Sequence, residues 1–145
     1  MMHVEFSRLP SFMDPQRLEL AIRRAFALGG RVTRGRVAVE CVSSAEMQRL
    51  NYAWRGKNKP TDVLSFPQPT IPENRERFWG DVVIAPSIVR AEAKRRHINR
   101  EEEMGRMTVH GVLHLLGFDH ATENEELNMF ALQEKIVETY YGENT

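Results

Sequence analysis

The sequence has few of the features that mark secreted, membrane-bound or strongly charged proteins. It has one cysteine in 145 residues, Cys41, which excludes an internal disulfide and suits a reducing cytoplasm. Its 20 basic and 20 acidic side chains balance, so any contact with a nucleic acid requires a local patch of charge. No apolar run approaches the roughly 20 residues of a transmembrane helix, and the first residues lack the pattern of a signal peptide. These absences predict a cytoplasmic globular protein without a membrane segment.

The order of the predicted elements indicates an α+β fold, a small sheet packed against about five helices. A length of 145 residues without repeats or linkers predicts a single domain, 1–145. Apolar and β-branched runs predict four strands, at 2–6, 37–42, 62–66 and 79–85. Four of the five predicted helices follow side chains that suit an N-cap, which are Asp14, Ser43, Asn99 and Thr122.

Two of the predicted helices carry apolar residues at helical spacing that we expect to face the core. In the second helix these residues are Met47, Leu50 and Trp54. In the terminal helix they are Leu127, Phe130, Ala131, Ile136, Val137 and Tyr140. Cys41 alternates with two valines in a predicted strand, which favours a buried structural thiol over a reactive one.

The strongest functional pattern is the stretch HGVLHLLGFDH, which holds three of the five histidines. His110 and His114 are four residues apart, so a helix places both rings on one face. Gly117 can end that helix in a left-handed conformation and turn His120 back toward the first two rings. Three converging imidazoles with an open fourth position are typical of catalytic zinc. Asp119 is expected to orient a ligand rather than to bind the ion.

The histidine pattern also permits other interpretations. The three side chains could be packed or exposed on an ordinary amphipathic helix. A three-histidine site can also bind nickel or copper tightly, so the residues alone do not select the metal. The spacing of His110 and His114 is that of the zinc peptidase motif H-E-x-x-H, in which the glutamate is the general base. Gly111 stands at the position of that glutamate, so a peptidase would lack its base.

Three motifs together resemble the YbeY family of bacterial rRNA maturation factors. The histidine stretch is similar to the family's H-G-x-L-H-L-x-G-[YF]-D-H signature. Residues 54–67, WRGKNKPTDVLSFP, resemble the segment Y-R-G-K-D-x-P-T-D-V-L-S-F-P, and residues 80–84, GDVVI, resemble the strand G-D-[IV]-x-I. The motifs occur in the family's order between about residues 46 and 120. The departures, Trp54 for Tyr and Asn58 for Asp, do not affect the predicted metal ligands.

The resemblance implies a zinc-dependent, single-strand-specific endoribonuclease that matures the 3′ end of 16S rRNA and acts in ribosome quality control. It implies a mixed sheet of four strands and rRNA, the ribosome or ribosomal proteins as partners. Arg55 matches a functionally important arginine of the family and is expected to hold a phosphate near the metal, while Lys57 and Lys59 are further candidates for RNA binding. The implied ligands of one Zn²⁺ per chain, in the C-terminal part, are His110, His114 and His120.

Two other functions remain open at this point. One is a zinc peptidase or amidase, and the other is a non-catalytic RNA-binding factor of ribosome assembly whose zinc is structural. A structural zinc can contribute on the order of 10 kcal/mol to folding, so its removal would unfold the chain. Removal of a catalytic zinc would leave a folded and inactive protein. The sequence does not identify a general base.

Overall fold

The protein is described by a computed structural model that covers residues 1–69 and 77–142. These residues form a four-stranded mixed sheet and five helices, which confirms the predicted α+β fold. The strands are β1 (Met2–Ser7), β2 (Gly35–Cys41), β3 (Val63–Pro67) and β4 (Phe78–Ile84). The helices are α1 (Pro15–Gly30), α2 (Ser44–Arg55), α3 (Pro86–Arg95), α4 (Arg100–Leu115) and α5 (Glu123–Tyr141). Over the part of the chain that is described, no helix is both long and apolar enough to cross a membrane.

The strands lie in the order β1–β2–β4–β3. β1 is parallel to β2, β2 is parallel to β4, and β3 is antiparallel to β4. β3 is therefore an edge strand, and this position tolerates Pro67, whose missing N–H would interrupt a central strand. Pro67 pairs with Gly80 at the end of this ladder.

Alternate residues of β4 divide the core between the two faces of the sheet. Val82 and Ile84 belong to the larger apolar cluster, which also contains the buried side chains of α1, α4 and α5. Val83 belongs to a smaller cluster with Met47 of α2. On the larger face α4 contacts β3 and β4 and also packs against α1 and α5, and on the opposite face Met47 of α2 packs with Leu64 and Val83 of the sheet.

The helix boundaries follow the predicted capping chemistry. The side chains of Asp14, Ser43, Asn99 and Thr122 each accept hydrogen bonds from backbone N–H groups in the first turn of the helix that follows. α4 ends at Leu115, and Gly117 then adopts a φ of +98°, as predicted for the residue that turns the chain.

Cys41 is buried in the larger cluster, as the strand pattern predicts. Burial raises the pKa of its thiol to about 11. The thiol is therefore protonated at neutral pH and acts as a small apolar side chain.

The predicted apolar stripes are wrong in part. Leu127 and Phe130 are each 59% exposed and Ala131 is also exposed, because the predicted set combined residues from two sides of α5 and only one of these sides faces the core. The face that α5 buries consists of Met129, Gln133, Ile136, Val137 and Tyr141. Trp54 is 70% exposed, because it lies in the last turn of α2, beside the edge strand β3 and beyond most of the core.

Candidate metal centre

The three histidines predicted as ligands lie together beside the C-terminal end of α4. His110 and His114 project from successive turns of the helix, with ring centroids 4.6 Å apart. The turn at Gly117 returns the chain, and the ring of His120 lies 5.4 Å from that of His110 and 5.0 Å from that of His114. One nitrogen from each ring lies within 4.8 Å of the others. This group could therefore hold a metal ion.

Hydrogen bonds orient the rings of His110 and His114. Nδ1 of His110 lies 2.8 Å from Oε1 of Gln133, and Nδ1 of His114 lies 2.9 Å from the carbonyl oxygen of Phe118. These oxygens can only accept, so each neutral ring carries its proton on Nδ1 and keeps a lone pair on Nε2.

The two Nε2 atoms lie 3.0 Å apart. Two nitrogens at 2.0–2.1 Å from one tetrahedral zinc ion are separated by about 3.4 Å, so the observed spacing is close to that of shared ligation. Two lone pairs at this distance repel each other unless a cation lies between them. The donor set of His110, His114 and His120 therefore fits a zinc ion.

Both half-buried rings favour the neutral form that binds metals. Burial is the main cause that lowers the pKa of His110 below its ordinary value of 6.5, against a smaller opposing effect of the hydrogen bond with Gln133. Burial also lowers the pKa of His114, and the charge of His110 acts in the same direction. At neutral pH these nitrogens are therefore available to a metal without loss of a proton.

A chain of hydrogen bonds fixes the orientation of the Gln133 amide. Its Nε2 donates to Oε2 of Glu134 at 3.1 Å, which leaves Oε1 facing His110. Arg106 donates to both carboxylate oxygens of Glu134, at 2.9 and 3.1 Å, and to the buried Glu103 at 2.9 Å. Although burial opposes its charge, these hydrogen bonds raise the pKa of Arg106, so the guanidinium remains a cation. The proton on Nδ1 of His110 thus depends, through the orientation of Gln133, on the charges of Glu134 and Arg106.

A cavity of about 610 Å³ opens over the histidines. Its walls are the end of α4 and the following turn on one side, and β3 with Arg55 on the other. Arg55 is exposed and forms no salt bridge with any residue that the structure describes. The structure therefore brings the predicted phosphate-binding arginine into the same cavity as the three histidines.

The other predicted site residues have different positions. Lys57 and Lys59 are exposed on the loop after α2 and do not line the cavity. Asp119 lines it, and Oδ1 of Asp119 accepts a hydrogen bond from the backbone N–H of His120 at 2.7 Å. Its predicted role as an orienting residue remains a prediction, and its contact is with the backbone of His120. Asp62, which was not singled out from the sequence, is the second acidic side chain among the lining residues.

Gln133 is the main residue that the sequence analysis missed. The terminal helix was expected to bury apolar side chains only, whereas Gln133 is 5% exposed on its buried face. A signal was nevertheless present, because Gln133 follows Met129 by four residues and precedes Ile136 by three. A polar side chain within such a stripe indicates a buried hydrogen bond.

Gly111 lies at the closest approach of α4 to the sheet. A Cβ atom on this residue would lie 2.5 Å from Cγ1 of Val82 and 3.1 Å from Oγ of Ser65. The Ser65 hydroxyl donates to the Gly111 carbonyl at 2.8 Å and holds the helix against β3. The position that bears the general base in H-E-x-x-H peptidases thus has no room for a glutamate here.

Comparison with known proteins gives consistent matches. A profile of the family described as Endoribonuclease YbeY matches residues 13–141. A protein of Sulfurihydrogenibium sp. (strain YO3AOP1) named Endoribonuclease YbeY is 43% identical over 101 residues, which are 69% of this chain and 66% of the relative. The match thus spans slightly less than two thirds of that relative. The solution structure of TM1509 from Thermotoga maritima is similar with a TM-score of 0.65 and 29% identity, over 98% of this chain and 90% of the other.

Proposed function

Because the chain belongs to the endoribonuclease YbeY family, we propose that it is a metal-dependent hydrolase that cleaves single-stranded RNA. One observation carries the proposal, which is the convergence of His110, His114 and His120 in a cavity that Arg55 also lines. The proposed ion is Zn²⁺, one per chain, because three imidazole ligands with an open position are the donor set of catalytic zinc.

An ion in this position supplies Lewis acidity toward a water molecule or a phosphate oxygen. Gln133 and the Phe118 carbonyl keep the Nδ1 protons of two rings in place, so that both Nε2 lone pairs face the ion site. Asp119 holds the backbone at the third ligand, His120. Arg55 donates two hydrogen bonds from its planar guanidinium to phosphate oxygens and stabilises the charge that develops there.

We assign this activity to maturation of the 3′ end of 16S rRNA and to ribosome quality control in the cytoplasm, with the ribosome or ribosomal proteins as partners. Membership of the family supports the assignment. A single buried cysteine is consistent with a reducing compartment. In this proposal residues 1–145 act as one domain, and Lys57 and Lys59 contact the RNA backbone outside the cavity.

Two observations weigh against the alternative functions. A peptidase would need a base at position 111, where even a Cβ atom would lie 2.5 Å from Cγ1 of Val82. A structural zinc is expected where a fold lacks a sufficient core of its own, but here apolar side chains of the sheet, α1, α4 and α5 form the core, and His120 is exposed. Removal of the metal with a chelator should therefore leave the secondary structure unchanged by circular dichroism and abolish cleavage. Unfolding on chelation would favour the non-catalytic assembly factor.

The decisive experiment is cleavage of an end-labelled single-stranded RNA by the wild type and by His114→Ala. Both proteins are purified in parallel, and the fold of each is checked by circular dichroism. We expect a folded His114→Ala protein that does not cleave. Equal cleavage by the two proteins would indicate a contaminating nuclease and would reject the proposed function.

A further inference from the structure

Six consecutive residues at the end of α2 and in the loop after it are all exposed, and we call residues 54–59 the exposed strip. The strip begins with Trp54, whose side chain is 70% exposed although its position in the helix predicts burial. Three of the five residues that follow are the cations Arg55, Lys57 and Lys59. An exposed aromatic ring beside several cations is the composition of surfaces that bind single-stranded nucleic acids, by stacking on bases and by contacts to phosphates.

Hydrogen bonds to α2 hold the strip in one conformation. Gly56 ends the helix with a φ of +70°, and its backbone N–H donates to the carbonyl of Tyr52 at 3.0 Å. The side chain of Asn51, which is 1% exposed, donates to the carbonyl of Lys59 at 2.8 Å. Because the loop is already ordered, a ligand that binds it loses little free energy to ordering.

Trp54 stands at the rim of the candidate metal cavity. Its ring packs on Phe66 of β3 in an edge-to-face contact, with centroids 5.6 Å apart and planes at 69°. Residues next to both aromatic residues in the chain line the cavity. They are Arg55, which follows Trp54, and Ser65 and Pro67, which flank Phe66. The contact with Phe66 fixes the indole in position and leaves most of its surface open to a second ring.

We propose that Trp54 forms a base-stacking subsite for single-stranded RNA at the rim of this cavity. The inference rests on the proposed function, which supplies RNA as the substrate. A base within a duplex has neighbours on both faces, so an unpaired nucleotide stacks on Trp54 far more readily than a nucleotide inside a duplex. Arg55, next in the chain, then meets a phosphate close to that base, and the subsite favours single strands over duplexes.

The test measures binding apart from cleavage. The probe is a fluorescent single-stranded oligonucleotide with 2′-O-methyl groups, which block attack by the 2′ oxygen, and binding to metal-free protein is followed by anisotropy. We expect Trp54→Ala to weaken binding about tenfold, since stacking on an aromatic ring contributes about 1–3 kcal/mol per base. Trp54→Phe should retain most of the affinity. A duplex of the same sequence should bind the wild type and Trp54→Ala equally.

Tyr52 provides a matched control because it is also an exposed aromatic residue of α2, at 60%. It precedes Trp54 by two positions and so projects about 200° away around the helix. Tyr52→Ala should bind the oligonucleotide like the wild type. A Trp54→Ala protein with wild-type affinity, or an equal loss in Tyr52→Ala, would overturn the subsite.

The subsite and the proposed function can fail separately. If the wild type cleaves no unmodified RNA but Trp54→Ala still loses affinity, the subsite stands and the nuclease proposal falls. If the wild type cleaves RNA and Trp54→Ala binds normally, the nuclease proposal stands and the subsite is rejected. Circular dichroism of each variant establishes that it is folded.

Discussion

The two walls of the cavity differ in burial and in charge. On the α4 wall, His110 and His114 are half-buried, each Nδ1 has a hydrogen-bond acceptor, and burial lowers both pKa values. The other wall, formed by β3 and Arg55, adjoins the exposed strip, whose cations and aromatic ring face solvent. The first wall therefore depends on the orientation of neutral ligands, and the second depends on charges that water and salt can screen. Substitutions on the two walls should change different measurements.

The largest effect is expected from a histidine of the α4 wall. His110→Ala should lower metal affinity by more than about a hundredfold, because loss of an outer partner of a ligand alone costs 10–100-fold. Titration with Co²⁺, followed by its visible absorption, measures this loss without an assay of activity. Retention of stoichiometric metal by folded His110→Ala would show that the ion lies elsewhere.

Arg55→Ala tests whether the two walls of the cavity have independent roles, one in metal binding and the other in phosphate binding. The arginine is expected to act on the phosphate, so kcat should fall by about 10²–10³-fold, as for the loss of one donor to a developing charge. Metal affinity should remain that of the wild type. Arg55→Lys should restore little activity, because a lysine lacks the planar pair of donors. Loss of metal from Arg55→Ala would contradict the division between the walls.

Gln133→Ala examines how far the orientation of one ring depends on its partner. Removal of the acceptor at Nδ1 of His110 should weaken metal binding by about 10–100-fold. Leu127→Ala is the control, because Leu127 lies on the same helix and is 59% exposed. Unchanged Co²⁺ affinity in Gln133→Ala, with the fold intact, would mean that packing alone orients the imidazole.

The smallest effects should come from the lysines of the exposed strip. Lys57→Ala and Lys59→Ala should raise KM a few-fold and leave kcat unchanged. Each should also lower the slope of log binding constant against log salt by about 0.7, the value for one phosphate contact to a single strand. A slope equal to that of the wild type would show that this lysine does not contact the RNA backbone.

Contacts of the site between residues close in sequence could be predicted, and contacts between residues far apart in sequence could not. The pairing of His110 with His114 and the turn at Gly117 depend on spacing within a few residues, so the sequence was sufficient to predict their convergence. The contact between His110 and Gln133 spans 23 residues and depends on the rotation of α5. Apolar residues occur on more than one side of that helix, so the choice of Leu127 and Phe130 as buried residues was wrong.

In the fold, too, local features could be predicted from the sequence and long-range ones could not. The helix caps depend on side chains next to the helices they begin, and all four were predicted. The strand order could not be predicted from the pattern, because β2 pairs with β4 across two intervening elements. The exposure of Trp54 likewise depends on where the edge of the sheet lies, and the spacing of residues along a helix does not indicate this.

Gly111 also limits the reactions that this helix can acquire during evolution. Substitution of this residue by glutamate would convert HGVLH into the H-E-x-x-H pattern of zinc peptidases. The new side chain would require the space of Val82, so α4 would have to move away from β4 and displace the histidines with it. Two kinds of zinc chemistry that differ by one residue in sequence are thus separated by the packing of α4 on Val82, because a glutamate at position 111 requires a shift at that contact.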